Sequence, residues 1–225
     1  MTEPSRERIR RREMIRSSAV YLVTEEALSA GRRSEEIAEA ALRAGVRVVQ
    51  VREKEGSARR ALDVAVTLRE LTRRYGALLL INDRIDIAIA AEADGVHVGQ
   101  EDLPVELARR LLGDDAVVGL SITDADQLAV RDAAEADYLG VGAVFPTGSK
   151  GDATLTGLPL LAAARAATQA PIVAIGGIDA GNAALAIAAG ADSVAVISAI
   201  TQAPDPAGAV EALSAAVAAA KAVHR

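Results

Sequence analysis

The sequence predicts an α/β fold closed into a single-domain (β/α)8 barrel, and three features predict it. Strand-like and helix-like patterns alternate eight times after residue 18. The strand-like segments are short, rich in Val and Ile and almost continuously apolar, as strands covered on both faces by helices must be. Each also runs out into a polar or small-residue cluster, and in parallel α/β folds ligands bind at that carboxyl edge. Several helix patterns end in Ala-x-Gly or Ala-Asp just before a strand, at Ala44-Gly45, Ala93-Asp94-Gly95, Ala136-Asp137 and Ala189-Gly190-Ala191-Asp192. A doubly wound open sheet is the alternative, but eight units of this kind fit closure better.

The units follow in order. Residues 19–24 read as the first strand and 34–44 as the first helix, with Ser34 suited to cap it and Gly45 to end it. Strand 46–52 leads to helix 57–75, closed by Gly76. Strand 78–82 precedes helix 84–93, and strand 95–98 precedes helix 104–112, where Pro104 falls near a helix start that has no use for its missing N–H. Strand 117–120 and helix 124–134 make the fifth unit, strand 138–141 and helix 158–168 the sixth. Strand 172–175 with helix 182–189, then strand 193–197 with helix 206–223, complete the set. Before them, residues 1–16 form a basic arm carrying Arg6, Arg8, Arg10, Arg11, Arg12 and Arg16, expected to be a solvated or frayed helix. Residues 17–225 are then the barrel domain.

Composition narrows the function. The chain has 225 residues, enough for one sizeable core. It is 51% hydrophobic but only 2% aromatic, which disfavours base-stacking nucleic-acid sites, and its net charge of -6 disfavours nucleic-acid partners generally. With no Cys, thiolate metal sites and Cys nucleophiles are excluded. The arm lacks the apolar stretch of a signal peptide, and the apolar runs fall short of the roughly 18 residues of a membrane span. The expectation is a cytoplasmic protein with small-molecule partners and no membrane partner. Self-association into a homo-oligomer is left open.

The polar clusters supply the candidate site. Gln50, Arg52 and Lys54 share one strand face while Val49 and Val51 take the other. An Arg and a Lys aimed into a barrel mouth are costly without an anion, so phosphate or pyrophosphate is the natural ligand; the competing reading is a frayed, solvated strand end. Asp83 and Asp102 end neighbouring strands about 5 Å apart, which suits a hard divalent cation, Mg²⁺, shared with phosphate oxygens. Each could instead cap a helix. The loop from Pro146 through Thr147, Gly148, Ser149 and Lys150 to about Gly157 can wrap an anion. Gly176-Gly177 and Ile197-Ser198 stand where many barrels bind phosphate through backbone N–H groups. Ser121 follows the fifth strand. His97, between Val96 and Val98, reads as a structural histidine and His224 as idle, and no Ser/His/Asp triad is suggested.

Together these motifs resemble the thiamine-phosphate synthase family. The resemblance runs from residues 21–24 to 196–200. It rests on Gln50-x-Arg52-x-Lys54, Ile81-Asn82-Asp83-Arg84, the 95–102 segment Gly-Val-His-Val-Gly-Gln-Glu-Asp, Gly140-Val141-Gly142, Phe145-Pro146-Thr147-x-Ser149-Lys150 and Ala174-Ile175-Gly176-Gly177-Ile178. It implies a (β/α)8 barrel that joins hydroxymethylpyrimidine diphosphate to thiazole ethyl phosphate, with Mg²⁺, through a dissociative mechanism. It further implies that Gln50, Val51, Arg52, Glu53, Lys54 and Asn82 hold the pyrimidine diphosphate, that Ser121 and Lys150 also contact it, and that Asp83 and Asp102 bind Mg²⁺. Thr147, Gly148, Ser149, Gly177, Ile197 and Ser198 would hold the thiazole phosphate. Arg52, Lys54, Ser121 and Lys150 would be catalytic. Ser149 stands where the family often has Thr, and Glu25 where Asp is common. The related thiazole tautomerase shares the barrel but tends to lack the Asn-Asp pair and the second metal Asp, and carries a His after the strand-five Ser, where this chain has Ile122. A non-catalytic phosphate-ligand sensor is a further alternative.

Overall fold

A computed structural model describes residues 4–148 and 155–223. Eight parallel strands close into a barrel in sequence order: β1 (Val20–Thr24), β2 (Val48–Val51), β3 (Leu78–Asn82), β4 (Gly95–Val98), β5 (Val117–Ile122), β6 (Tyr138–Val141), β7 (Ile172–Ile175) and β8 (Ser193–Val196). Closure is made by β1, which pairs with β2 through Tyr21↔Val48 and with β8 through Tyr21↔Ala195. The helices are α1 (Arg6–Ser17), α2 (Ser34–Arg43), α3 (Ala58–Tyr75), α4 (Ile85–Ala90), α5 (Val105–Leu112), α6 (Arg131–Glu135), α7 (Gly157–Ala167), α8 (Ala183–Ala188), α9 (Ser198–Thr201) and α10 (Pro206–Val223).

Strand alternation sorts the apolar residues into two cores. Val20 and Leu22 of β1, Val49 and Val51 of β2, and Leu79 and Ile81 of β3 face the helices. Their neighbours Tyr21, Val23, Val48, Leu78 and Leu80 face the barrel axis. The small outer residues Ala38, Ala41, Ala88, Ala164 and Ala186 let helices lie close on the strands.

Three local expectations are corrected. The helix expected over 124–134 breaks at Val130, which is extended, into a 3₁₀ turn (Ala125–Ala129) and α6. A capping box between Asp124 and Gln127 starts the turn and favours this shorter piece. Strand β5 runs two residues further than expected, so Ser121 lies inside it. Ser34 does not cap α2, because Arg33 is the N-cap residue; the Ser34 hydroxyl instead donates to Glu53 at 3.4 Å.

The basic arm is also corrected. It is an ordered helix, α1, capped by the Ser5 hydroxyl, which accepts from the Arg8 N–H. It covers the amino-terminal end of the barrel and puts Ile15, fully buried, into the inner core. Arg8, Arg11 and Arg16 pair with three aspartates, one at the foot of each of β4, β6 and β8. Arg11 pairs with Asp94 at 3.0 Å, Arg8 with Asp137 at 2.6 Å and Arg16 with Asp192 at 3.4 Å. Each aspartate also accepts the N–H of the strand before it, from Leu79, Val118 and Ile172. Each takes a second arginine from the outer helix that leads into that earlier strand: Arg69 of α3, Arg109 of α5 and Arg165 of α7. The recurring Asp of the helix-to-strand signature is thus a strand-end clamp, and α1 ties three clamps together. Ile15→Ala should lower stability by about 2–4 kcal/mol, the cost of emptying a fully buried aliphatic site; urea unfolding would show it, and a change under about 0.5 kcal/mol would mean that α1 is not seated.

Helix α10 has 18 residues and a mean hydropathy of 1.2, so by length and composition it could cross a membrane, where the sequence reading found no such run. In the fold it packs on α8 and α2, with Val210, Leu213 and Val217 buried.

Candidate active site

The carboxyl ends of the strands open into a cavity of ≈ 710 Å³. Lys54, Ser121, Thr147, Gly148, Gly177, Ile197 and Ser198 line it. Beneath it, inside the barrel, lies a cavity of ≈ 30 Å³ lined by Gln50, Arg52, Asn82, His97, Ser121 and Tyr138, among others. Ser121, Gly140, Ile175, Ala195 and Ile197 border both spaces. Gln50 and Arg52 therefore do point inward from β2 and its end, with Lys54 further out at the mouth.

Arg52 is 5% exposed and forms a buried ion pair with Glu25, itself 8% exposed. Its Nε is buried and has no hydrogen-bond partner among the described residues. A buried guanidinium held by one carboxylate, with donor capacity left over, suits an anion. The sequence reading gave Glu25 no consequence; its burial against Arg52 makes it the group that aims the guanidinium.

Other candidates fall elsewhere. The Val51 side chain is in the outer core, so only its backbone could serve a ligand. Glu53 turns toward Ser34, and burial pushes its carboxyl up to about 7, with the nearby Glu25 charge adding to the rise and Ser34 and Arg52 opposing it. It lines neither cavity. Ser149 and Lys150 lie outside the described residues.

Asp83 and Asp102 are both half-buried, and neither is an N-cap residue: Arg84 precedes α4 and Pro104 precedes α5. Asp83 has φ 60°, an uncommon backbone state for a residue with a side chain. Its N–H donates to the His97 carbonyl at 2.8 Å, which ties the end of β3 to β4. Asp102 Oδ2 accepts the Gly99 N–H at 2.7 Å in the turn after β4. No group of three or more His, Cys, Asp and Glu suited to a metal occurs among the described residues. Two carboxylates alone are nevertheless a donor set that Mg²⁺ takes when phosphate oxygens and water complete it.

On the opposite side, Gly177 has φ 66°, and a Cβ there would stand 2.4 Å from the Pro146 carbonyl oxygen. Only glycine allows the loop after β7 to lie against the loop carrying Thr147 and Gly148. Asn182 secures the same loop by donating to the Gly177 carbonyl at 2.8 Å. Ser198 opens the short helix α9 directly after β8, a helix the sequence reading missed because four residues leave no periodicity.

Along the inner cavity runs a connected polar row. Gln50 Nε2 donates to Tyr21 Oη at 2.6 Å, and Tyr21 Oη meets Tyr138 Oη at 2.9 Å. Tyr138 Oη meets His97 Nδ1 at 2.9 Å, and His97 Nε2 meets Ser121 Oγ at 2.9 Å. Tyr21 and Tyr138 escaped the sequence reading because single tyrosines in apolar strands look like packing, and the bond between His97 and Ser121 joins two strands and is not visible along the chain.

The family described as thiamine monophosphate synthase matches residues 20–200. The thiamine-phosphate synthase of Haloarcula marismortui is 52% identical over 88% of this chain and 96% of its own length. That of Moorella thermoacetica is 50% identical over 86% and 93%. Among solved structures, a thiamine phosphate pyrophosphorylase from Pyrococcus furiosus has a TM-score of 0.83 at 36% identity, covering 92% of this chain and 98% of that one. A geranylgeranylglyceryl phosphate synthase from Thermoplasma acidophilum, with a TM-score of 0.65 and 16% identity, covers 96% and 99% and shares the fold alone.

Proposed function

We propose a reaction from one premise: the chain belongs to the thiamine-phosphate synthase family and is a transferase of thiamine biosynthesis. It joins 4-amino-2-methyl-5-hydroxymethylpyrimidine diphosphate to thiazole ethyl phosphate and releases pyrophosphate. The observation that carries the reading is Arg52, buried and lining the inner cavity that Asn82 and Ser121 also line, with an uncompensated Nε. A site that keeps a guanidinium there favours a ligand of high negative charge.

The pyrimidine lies over the inner cavity at Gln50 and Asn82, with its diphosphate toward Arg52, Lys54, Ser121 and Lys150. The thiazole phosphate sits across the mouth at Thr147, Gly148, Ser149, Gly177, Ile197 and Ser198, the last three partly through backbone N–H groups. The C–O bond between the pyrimidine methylene and the diphosphate breaks first, and its electron pair leaves with pyrophosphate. The aminopyrimidine ring supports the resulting cation. The thiazole nitrogen then donates its lone pair to form the C–N bond. No proton is transferred in these steps, so no general base is required. Arg52 and Lys54 stabilise the charge that gathers on the leaving group, and the shared mouth supplies proximity.

Asp83 and Asp102 would hold Mg²⁺, which when bound neutralises part of the diphosphate charge. Asp83→Ala should cut turnover at limiting Mg²⁺ by about 10²-fold or more, on the scale of losing an electrostatic group, while circular dichroism stays unchanged. Pyrophosphate release across an Mg²⁺ series would check it. Near-wild-type rates at limiting Mg²⁺ would remove Asp83 from the metal site.

A further inference from the structure

The polar row from Gln50 to Ser121 contains Tyr21, Tyr138 and His97, and the proposed reaction gives none of these three a role. The row is a built feature of the barrel interior, where apolar side chains ordinarily fill the layers. Tyr21 and Tyr138 are fully buried. Glycines make room for it. A Cβ at Gly119 would meet the Tyr138 ring at 2.1 Å, and one at Gly140 would meet the His97 ring at 2.7 Å.

The orientation of the Gln50 amide sets the hydrogen-bond polarity of the whole row. Gln50 presents its amino group to Tyr21, so Tyr21 accepts there and gives its own proton to Tyr138. Tyr138 in turn donates to His97 Nδ1. Burial raises both phenols above their usual range, which keeps these protons in place. With Nδ1 accepting, the neutral imidazole carries its proton on Nε2 and donates it to Ser121 Oγ. Ser121 then has its own O–H left for the mouth. Were the Gln50 amide turned over, every arrow would reverse, Ser121 would give its proton to His97, and it would face an anion with lone pairs only.

We propose that His97, held by Tyr138 and Tyr21, is a positioning residue that turns the Ser121 hydroxyl proton outward toward the diphosphate substrate. The inference rests on the reading of Ser121 as a diphosphate contact.

Two measurements test it. The chain contains two histidines, His97 and His224. In ¹⁵N-histidine-labelled full-length protein, with a His224→Gln variant to assign the signals, His97 should appear at neutral pH as the Nε2–H tautomer. Tyr138→Phe should shift its Nδ1 resonance. An Nδ1–H tautomer, a doubly protonated ring, or a spectrum that Tyr138→Phe leaves unchanged would overturn the proposal. In a double-mutant cycle, Tyr138→Phe should lower kcat/KM for the pyrimidine diphosphate on the order of tenfold in wild type and leave it nearly unchanged in Ser121→Ala. Equal losses in both backgrounds would reduce Tyr138 to packing and overturn the proposal. Wild-type protein that makes no thiamine phosphate would instead sink the synthase reading, and the tautomer measurement would still decide the polarity of the row.

Discussion

Arg52→Ala is expected to lower kcat/KM for the pyrimidine diphosphate by about two orders of magnitude, the equivalent of roughly 3 kcal/mol of lost transition-state stabilisation. The residue supplies a fixed guanidinium inside the barrel, already desolvated and aimed by Glu25. A preorganised charge of this kind needs no rearrangement when the leaving group gains charge. The loss should fall on kcat as well as KM, since pyrophosphate carries more charge on this side after bond cleavage than the bound diphosphate does before it. Arg52→Lys should recover only part of the rate, because an ammonium cannot span two oxygens while keeping the Glu25 pair. Steady-state kinetics with each substrate varied in turn would check both statements. A change confined to thiazole-phosphate affinity would put Arg52 in the other subsite.

Asp137→Ala is expected to have the largest effect on stability, about 3–5 kcal/mol, because it removes a fully buried carboxylate and leaves two partly buried arginines and a buried strand N–H without their acceptor. The Asp137 carboxylate is fully buried and takes Arg8, Arg109 and the Val118 N–H at 2.6, 2.6 and 2.8 Å. Asp192→Ala should cost less, since its side chain is 21% exposed and water can replace part of what is lost. Chemical denaturation of both variants gives the comparison. A loss below about 1 kcal/mol for Asp137→Ala would mean that its partners find other acceptors.

The barrel was legible because the strands are short and almost continuously apolar and a strand-then-helix pattern recurs eight times. The inward set Gln50, Arg52 and Lys54 was legible for a related reason: alternation along a strand is a local rule. Long-range pairing was not. Arg8 meets Asp137 across 129 residues, so the arm looked like a solvated charge run although its charges are used at the barrel floor. The Ala-Asp signature was visible, but its role as a clamp needs the preceding strand and the helix leading into it together. The importance of Glu25 was hidden in the same way, since its partner Arg52 belongs to the next strand. His97 was read as structural, which its two hydrogen bonds support in part. What the sequence could not display is the row of Gln50, Tyr21, Tyr138 and Ser121 to which those bonds belong.

The most direct test of the central claim is thiamine phosphate formation by the purified full-length protein, given hydroxymethylpyrimidine diphosphate and thiazole ethyl phosphate with and without Mg²⁺. The expected result is thiamine phosphate and pyrophosphate in equal amounts, dependent on Mg²⁺. Folded protein that forms neither product with both substrates and Mg²⁺ present would contradict the assignment.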